Sequence, residues 1–231
     1  MINIPKETKQ TQQSEKAYQM IKDMIFKKEL RPGSPIIANS FYKDFGMSRT
    51  PVREAIARLS SEGLVELIPN RGAFVKTFTI KELIMCYEVA AALEGVLVYN
   101  IAKRYSTAPD RAMLEKLHKI VDYMNLCEKE NKWLEWIGKD EEFHNTLLQC
   151  SDNYILTDHI KMLSGQFKLM SLFFSSQLYS MEISNIEHTN ILKYIEAGDA
   201  TSASNEMQKH RKRIKSELET VLNSDNPIYQ I

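Results

Sequence analysis

A succession of helical patterns in the larger, C-terminal part of the chain constrains the fold most. From residue 79 onward, apolar residues recur at three- and four-residue intervals, the spacing of one face of an α-helix, and strand-like alternation disappears. The six predicted helices cover about residues 80–105, 110–130, 132–150, 154–181, 184–197 and 199–222. Residues 79–224 are therefore expected to form an all-helical domain, followed by a C-terminal tail at 225–231.

The preceding part of the chain has a different pattern. After a polar stretch at 1–14, expected to be a mobile arm, helices are predicted at about 15–29 and 39–45, with a third that opens at Ser48 and stops at Gly63. The segments "LVELIP" and "AFVKTF" then read as two strands joined by the turn signal "NRG". A capping box of Thr79 and Glu82 opens the next helix. The expected fold is mainly α, with a small domain at 15–78 that ends in a β-hairpin.

Charge and cysteine content narrow the class of protein. The 231 residues have no net charge, but residues 1–78 carry 13 Lys/Arg against 8 Asp/Glu, which leaves 17 against 22 for the remainder. A basic N-terminal domain suggests a polyanionic partner. Three isolated cysteines form neither a disulfide framework nor a zinc motif, and the polar N-terminus has no signal-peptide core. We expect a cytoplasmic protein that does not span a membrane.

The helix that opens at Ser48 carries polar residues suited to a nucleic acid. Its apolar residues Val52, Ile56 and Leu59 mark the buried face. The residues at its start that fall outside this face are Ser48, Arg49, Thr50 and Arg53. Helix N-termini attract phosphate, and arginine matches phosphate or the guanine edge. With the preceding helix this forms a helix-turn-helix, and Arg71 and Gly72 at the hairpin tip would make it winged. The alternative is that these arginines only solubilise the surface.

Three histidines and one aspartate lie on inward-facing helical stripes of the second domain. One aspartate and one histidine are four residues apart, which forms a two-ligand clip on one helix. The four candidate ligands are Asp140, His144, His188 and His210. Such a set suits zinc, nickel or manganese. The alternative is that the histidines are ordinary core residues. In the basic run "KHRKR" at 209–213, His210 alone is expected to turn inward.

The segments "LRPGSPI", "FGMSRTPVREAIARLSSEGLV" and "PNRGAFV" resemble the winged helix-turn-helix domain of GntR-family transcription regulators. The segments "DEEFH", "DNYIL", "EHTNILKYIEAGD" and "ASNEMQKH" resemble the FCD effector domain of the FadR branch of that family. The resemblance implies a bundle of six or seven helices, a dimer, and major-groove contacts from the helix at Ser48. It implies a minor-groove approach by Gly72 and a divalent metal held by Asp140, His144, His188 and His210.

Two departures from the family pattern concern specificity. Asn39 lies where some members place a DNA-contacting arginine, so the operator sequence is expected to differ. Ala90 lies where many members carry an arginine that grips an organic acid, which leaves the class of effector open. Asn153 is a candidate for the effector pocket, with helix capping as its alternative role.

These observations predict a homodimeric DNA-binding regulator, with repression as the default by analogy to the family. A small-molecule effector, such as a metal-coordinating organic acid, would control binding to a double-stranded DNA operator. The alternative function is a metal-dependent enzyme that uses the Asp/His site to activate water. Against it, no general base or nucleophile motif stands beside the candidate ligands.

Overall fold

The computed structural model describes residues 9–44, 46–171 and 180–222. The chain divides into two compact units, Met1–Thr77 and Phe78–Ile231. Each unit is described by itself below.

The N-terminal unit combines three helices with a small antiparallel sheet. Its elements, in chain order, are α1 (Lys9–Phe26), β1 (Pro35–Ile36), α2 (Ala38–Asp44), α3 (Arg49–Ser61), β2 (Val65–Ile68) and β3 (Gly72–Val75). The strand order is β1-β3-β2, so β3 is central. Strands β2 and β3 form the predicted hairpin, with Ile68 opposite Gly72 and Val65 opposite Val75.

Two boundaries in this unit differ from the sequence prediction. Helix α1 begins at Lys9, so residues 9–14 of the expected mobile arm are helical, and it ends at Phe26 rather than near residue 29. The prediction failed because this polar first turn carries no apolar periodicity of its own. Strand β1 was not predicted either. It is two residues long and includes a proline, and its pairing partner Phe74 is distant in sequence. Residues 1–8 and 225–231, and Phe45, lie outside the described residues.

The core of the N-terminal unit lies between α1, α3 and the sheet. Ala17, Ile21 and Ile25 of α1 are fully buried, four residues apart on one face of the helix. Helix α3 contributes Val52, Ala55, Ile56 and Leu59, the face that the sequence predicted. This packing leaves the opposite face of α3 toward solvent.

The second unit is helical throughout its described residues. Its elements are α4 (Ile80–Tyr105), α5 (Arg111–Lys129), α6 (Trp133–Gln149), α7 (Tyr154–Ser171), α8 (Met181–Glu196) and α9 (Ala200–Leu222). The predicted fold class is confirmed, and the six helices fall close to their predicted ranges. The last part of the predicted 154–181 helix, residues 172–179, lies outside the described residues. The capping box is formed as predicted: Glu82 N donates to Thr79 Oγ1 at 3.1 Å, and Thr79 N donates to Glu82 Oε2 at 2.8 Å.

Helix α4 is the central helix of this unit and packs most extensively against α9. By length and composition alone it could cross a membrane. It nevertheless carries the buried carboxylate of Glu94, which is paired with Arg211 of α9, as the core helix of a folded domain would. Its apolar residues contribute to two clusters, a larger one that includes residues of all five other helices of this unit and a smaller one shared with α7 and α9.

Candidate DNA-binding surface and metal centre

The start of α3 presents its polar residues to solvent. Ser48, Arg49, Thr50 and Arg53 are all exposed, whereas Pro51 and Val52 between them are buried. Ser48 has the extended backbone of an N-cap residue, but its side chain makes no capping hydrogen bond. Two guanidinium groups therefore flank the N-terminal end of the helix, where free backbone N–H groups favour an anion.

The hairpin tip brings Arg71 and Gly72 to the surface, where both are exposed. The turn closes with a hydrogen bond from Arg71 N to Ile68 O at 3.0 Å. Gly72 has a φ of +101°, a conformation that favours glycine over residues with a β-carbon. At Gly72 the backbone of the hairpin tip is therefore not covered by a side chain.

Helix α3 and the turn of the β2–β3 hairpin border one depression in the N-terminal unit. Its lining includes Asn39 of α2, Arg53 of α3, and Asn70 and Gly72 of the hairpin turn. Asn39, Arg53 and Gly72, which the sequence singled out separately, therefore line one concave surface, and Arg53 gives that surface a positive charge.

The four candidate metal ligands meet in the second unit. Asp140 and His144 come from α6, His188 from α8 and His210 from α9, and one ligand atom of each lies within 4.8 Å of the others. Asp140 Oδ1 is 3.6 Å from His188 Nε2 and 4.0 Å from His144 Nε2. The three histidines are buried, His188 completely so, whereas Asp140 is partly exposed.

The imidazole nitrogens that converge here lack partners. Nε2 of His144, His188 and His210 is buried and has no hydrogen-bond partner within the described part of the chain. Buried polar atoms without partners are costly, and native cores seldom keep several together. Three at one point, beside a carboxylate, fit a cation-binding centre better than a packed core.

Carboxylates behind two of the rings fix the imidazole tautomers. His210 Nδ1 lies 2.7 Å from Glu187 Oε2, and His144 Nδ1 lies 3.2 Å from Glu94 Oε2. An ionised carboxylate can only accept, so Nδ1 is the donor on both rings, which leaves Nε2 as the nitrogen that faces the candidate metal site. This is the arrangement found behind metal-ligating histidines.

The pKa values agree with this assignment. Burial lowers the pKa of His210 to about 4, although Glu187 acts in the opposite direction. Burial lowers the pKa of His188 well below its usual value, and the neighbouring His210, His144 and Arg211 act in the same direction. Burial alone would raise the pKa of Glu94, but Arg211 and His144 outweigh it and hold this pKa at about 2. The rings of His188 and His210 are therefore neutral, and the Glu94 carboxylate is ionised, near pH 7.

Glu187 is itself held by Arg213 of α9. Arg213 Nε and Nη2 donate to Glu187 Oε1 and Oε2 at 2.9 and 2.8 Å, and Nη2 also donates to Ser184 Oγ at 2.8 Å. Burial would raise the pKa of Glu187, but the hydrogen bonds from His210 and Arg213 hold it at about 2. Sequence reasoning missed both residues, because neither lies in a ligand-like spacing.

A cavity of about 70 Å³ opens beside the cluster. Its lining residues are Tyr87, Trp133, Trp136, Ile137, Asp140, Glu141, His144, Asn145, Ser164, Phe167, Ser184, Arg211 and Ile214. Arg211 corrects the sequence prediction for the "KHRKR" run, in which His210 alone was expected inside. Arg211 is also buried, because its guanidinium pairs with Glu94 across the α4–α9 interface.

The remaining candidates lie elsewhere. Asn153 is exposed and is not among the described residues that line the cavity; its Oδ1 accepts a hydrogen bond from Leu156 N at 3.1 Å and caps α7. The structure therefore places Asn153 in its alternative role. His159 is exposed on α7, and His118 is partly buried on α5, beside a different depression.

Two family matches together span most of the chain. Residues 13–75 match the family described as "Bacterial regulatory proteins, gntR family". Residues 85–213, more than half of the chain, match the FCD domain.

Individual relatives are similar over long stretches. An uncharacterised HTH-type transcriptional regulator of Agrobacterium vitis is 33% identical over 136 residues, which cover 58% of this chain and 78% of the relative. The HTH-type transcriptional repressor RspR of Escherichia coli is 21% identical over 208 residues, 90% of each chain.

The fold also matches solved structures. The structure of E. coli McbR/YncC superposes with a TM-score of 0.73 at 18% identity and covers 91% of this chain and 99% of that one, which shows a shared fold. The resemblance seen in the sequence is confirmed. The chain belongs to the GntR family of bacterial regulatory proteins, as a member with an FCD domain, and its class is that of transcription regulators rather than enzymes.

Proposed function

We propose that this protein is a cytoplasmic, homodimeric repressor whose helical domain binds a divalent metal ion and a small-molecule effector. The observation that carries the metal part is the convergence of three buried, unpartnered Nε2 atoms beside Asp140. The exposed cations at the start of α3 support the DNA-binding part.

The proposed DNA interface divides between α3 and the wing. Ser48, Arg49, Thr50 and Arg53 would enter the major groove, where guanidinium groups read guanine or hold phosphate. Arg71 and Gly72 would approach the minor groove, since a glycine at the tip lets the backbone come close. Two copies of the chain would then match two half-sites of a palindromic operator.

The proposed metal ligands are Asp140, His144, His188 and His210. One carboxylate and three imidazoles form a donor set that suits zinc, nickel or manganese, and availability in the cell helps to decide among them. A bound ion would satisfy the three Nε2 atoms and act as a Lewis acid for an effector oxygen. Glu94 and Glu187 keep two of the rings oriented toward it.

The proposed repression and its release depend on the thermodynamic coupling between effector binding and DNA binding. Relatives that carry repressor names include RspR of E. coli and the gluconate operon repressor of Bacillus subtilis, which is 29% identical over 146 residues. An effector in the helical domain can change DNA affinity only if it binds two arrangements of the dimer differently. We propose that effector binding favours the arrangement that releases the operator.

Elemental analysis tests the metal part first. The protein, purified without chelator or affinity tag, should contain about one divalent ion per chain. His188→Ala and the double variant His144→Ala/His210→Ala should lose it, whereas His159→Ala, which changes an exposed histidine, should keep it. If the wild-type protein contains no metal even after reconstitution, the three histidines are ordinary core residues and not metal ligands.

Quantitative DNA binding tests the regulator part. An operator selected from random double-stranded oligonucleotides should bind the wild-type protein with an affinity that falls steeply as salt rises. Arg49→Ala and Arg53→Ala should each weaken specific binding by roughly tenfold or more, because a bidentate base contact contributes about 1–3 kcal/mol. Arg111→Ala, at the exposed start of α5, is the matched control. If both α3 variants bind as well as this control, α3 is not the recognition helix.

A further inference from the structure

We propose that Ile37 and Asn39 together recognise one A·T base pair in each half-site of the operator. The amide of Asn39 pairs with the edge of adenine, and the side chain of Ile37 contacts the methyl group of thymine. This inference rests on the proposed DNA interface of α3 and the hairpin tip, and it names a base pair that this interface selects. The evidence is the exposure of the two side chains and the lining of the depression that they share with Arg53.

Ile37 is an apolar residue in a position where a polar one is expected. It directly precedes α2, whose first residue is Ala38, and serine, threonine, aspartate and asparagine are preferred before a helix. Its side chain is nevertheless 60% exposed, so the isoleucine gains little burial. A departure from local preference without a gain in packing points to a role outside the folding of the unit.

The backbone holds Ile37 in this exposed position. The preceding residue, Ile36, is buried and pairs with Ala73 of the central strand β3. The carbonyl oxygen of Ile37 accepts hydrogen bonds from Ser40 N at 3.0 Å and from Ser40 Oγ at 2.7 Å. Ordered backbone therefore presents this side chain, which reduces the entropy cost of a contact with DNA.

Asn39 offers an amide two residues further along the chain. Its side chain is exposed and makes no hydrogen bond with the described residues. In the major groove, asparagine forms paired hydrogen bonds with N6 and N7 of adenine, and thymine presents a methyl group in the same groove. An amide and an apolar side chain that line one depression therefore match the two bases of an A·T pair.

The lining of this depression suits base edges better than phosphates. In the part of the chain that the structure describes, Arg53 is the one cation of the lining and Glu54 the one carboxylate. A surface that only neutralises phosphates needs several cations. Ala57 and Leu67, the latter 53% exposed, instead extend the apolar lining from Ile37. Because Arg53 borders the same depression, the A·T pair lies beside the group that Arg53 contacts.

Parallel selection of operators tests the amide. The full-length wild-type protein and Asn39→Arg each select from random double-stranded oligonucleotides. The wild type should prefer A·T over G·C by about tenfold or more at one position of each half-site, and Asn39→Arg should prefer G·C there, because arginine matches the guanine edge. The readout is the ratio of the two affinities, since an added cation strengthens binding to all sequences alike.

Removal of one methyl group from the DNA tests Ile37. Deoxyuridine in place of that thymidine keeps the hydrogen bonds of the base pair and lacks only the methyl group. The wild type should bind the uracil operator about three- to fivefold more weakly, as expected for the loss of one apolar group from the contact. Ile37→Ser should bind both operators alike, and thermal unfolding should show that it folds normally, because serine is favoured before a helix. Ile186→Ser, which changes an exposed isoleucine of α8, should keep the wild-type preference.

Three results would each overturn the proposal. Asn39→Arg selects the same base pair as the wild type, the wild type binds the thymine and uracil operators alike, or Ile37→Ser still distinguishes them. Failure of the proposed function is a different result. In that case the wild type selects no specific operator, or Arg49→Ala and Arg53→Ala bind the selected operator with full affinity.

Discussion

Gly198 joins α8 to α9 at a point where a side chain has no room. Its φ is +68°, and a β-carbon built on it would lie 2.8 Å from Ser106 Cβ and 3.3 Å from Ser106 Cα. The substitution Gly198→Ala combines the cost of a left-handed residue with a steric clash. We expect it to lower the free energy of unfolding by about 2–4 kcal/mol, measured by denaturant or thermal unfolding.

Gly138 provides the matched control for this prediction. It is exposed in α6, and a β-carbon there would meet nothing within 4 Å. Gly138→Ala should therefore stabilise the domain by about 0.5–1 kcal/mol, because alanine favours the helix. If Gly198→Ala unfolds at the same temperature as Gly138→Ala, the close approach of Gly198 to Ser106 is wrong.

The individual side chains of the candidate metal centre differ in how far the sequence could predict them. His188 and His210 share helical stripes with apolar residues, so the 3.6-residue period already predicted that they face inward. The structure brings both together with Asp140. The burial of Arg211 could not be read in this way. It follows His210 directly in a run of cations, and its place depends on Glu94, 117 residues away in the chain.

Helix α3 is held in place by a polar cluster on α1. Tyr18 of α1 is buried, and its hydroxyl donates to Glu62 at 2.8 Å, just beyond the end of α3. The guanidinium of Arg58 lies 3.7 Å from the centre of the Tyr18 ring, and Lys22 reaches Glu62 at 3.1 Å. The contact between the two helices therefore depends on one aromatic ring more than on any single charge.

Substitutions at Tyr18 should separate these contributions. Tyr18→Phe removes one hydrogen bond and should cost about 1 kcal/mol of unfolding free energy, because Glu62 keeps its contacts with Lys22 and Arg58. Tyr18→Ala also removes the buried ring and should cost about 3 kcal/mol or more. Denaturant unfolding followed by circular dichroism measures both. Equal losses in the two variants would mean that the hydroxyl, and not the ring, holds α1 to α3.

The elements were predictable wherever their signals are local. Thr79 and Glu82 mark the start of α4 within four residues. The three residues "NRG" at 70–72 mark the turn between β2 and β3. Strand β1 carries no such signal, because Pro35 and Ile36 become a strand only through pairing with Phe74 and Ala73. Partners that are distant in sequence decide that pairing, and a pattern within one segment does not reveal them.

The dimer expected of the whole molecule has a candidate interface on α4. Its outer face exposes Met85, Val89, Val96 and Tyr99, spaced at four, seven and three residues. This spacing follows a heptad stripe, and it runs for about 21 Å along the helix at 1.5 Å per residue. An apolar stripe of this length on a folded domain is typical of a surface that another molecule covers, and we expect a second copy of the chain to cover it.

Charge placed in this stripe should separate the two copies. Val89→Glu/Val96→Glu would bury four carboxylates at a two-fold interface without counter-charges, a cost of several kcal/mol that a dimer of ordinary affinity does not withstand. Light scattering coupled to size exclusion should show a folded monomer, with weaker operator binding because half-sites are then bound singly. Leu134→Glu, at the exposed start of α6, should remain dimeric. A double variant that stays dimeric would assign the interface to another face of the helical domain.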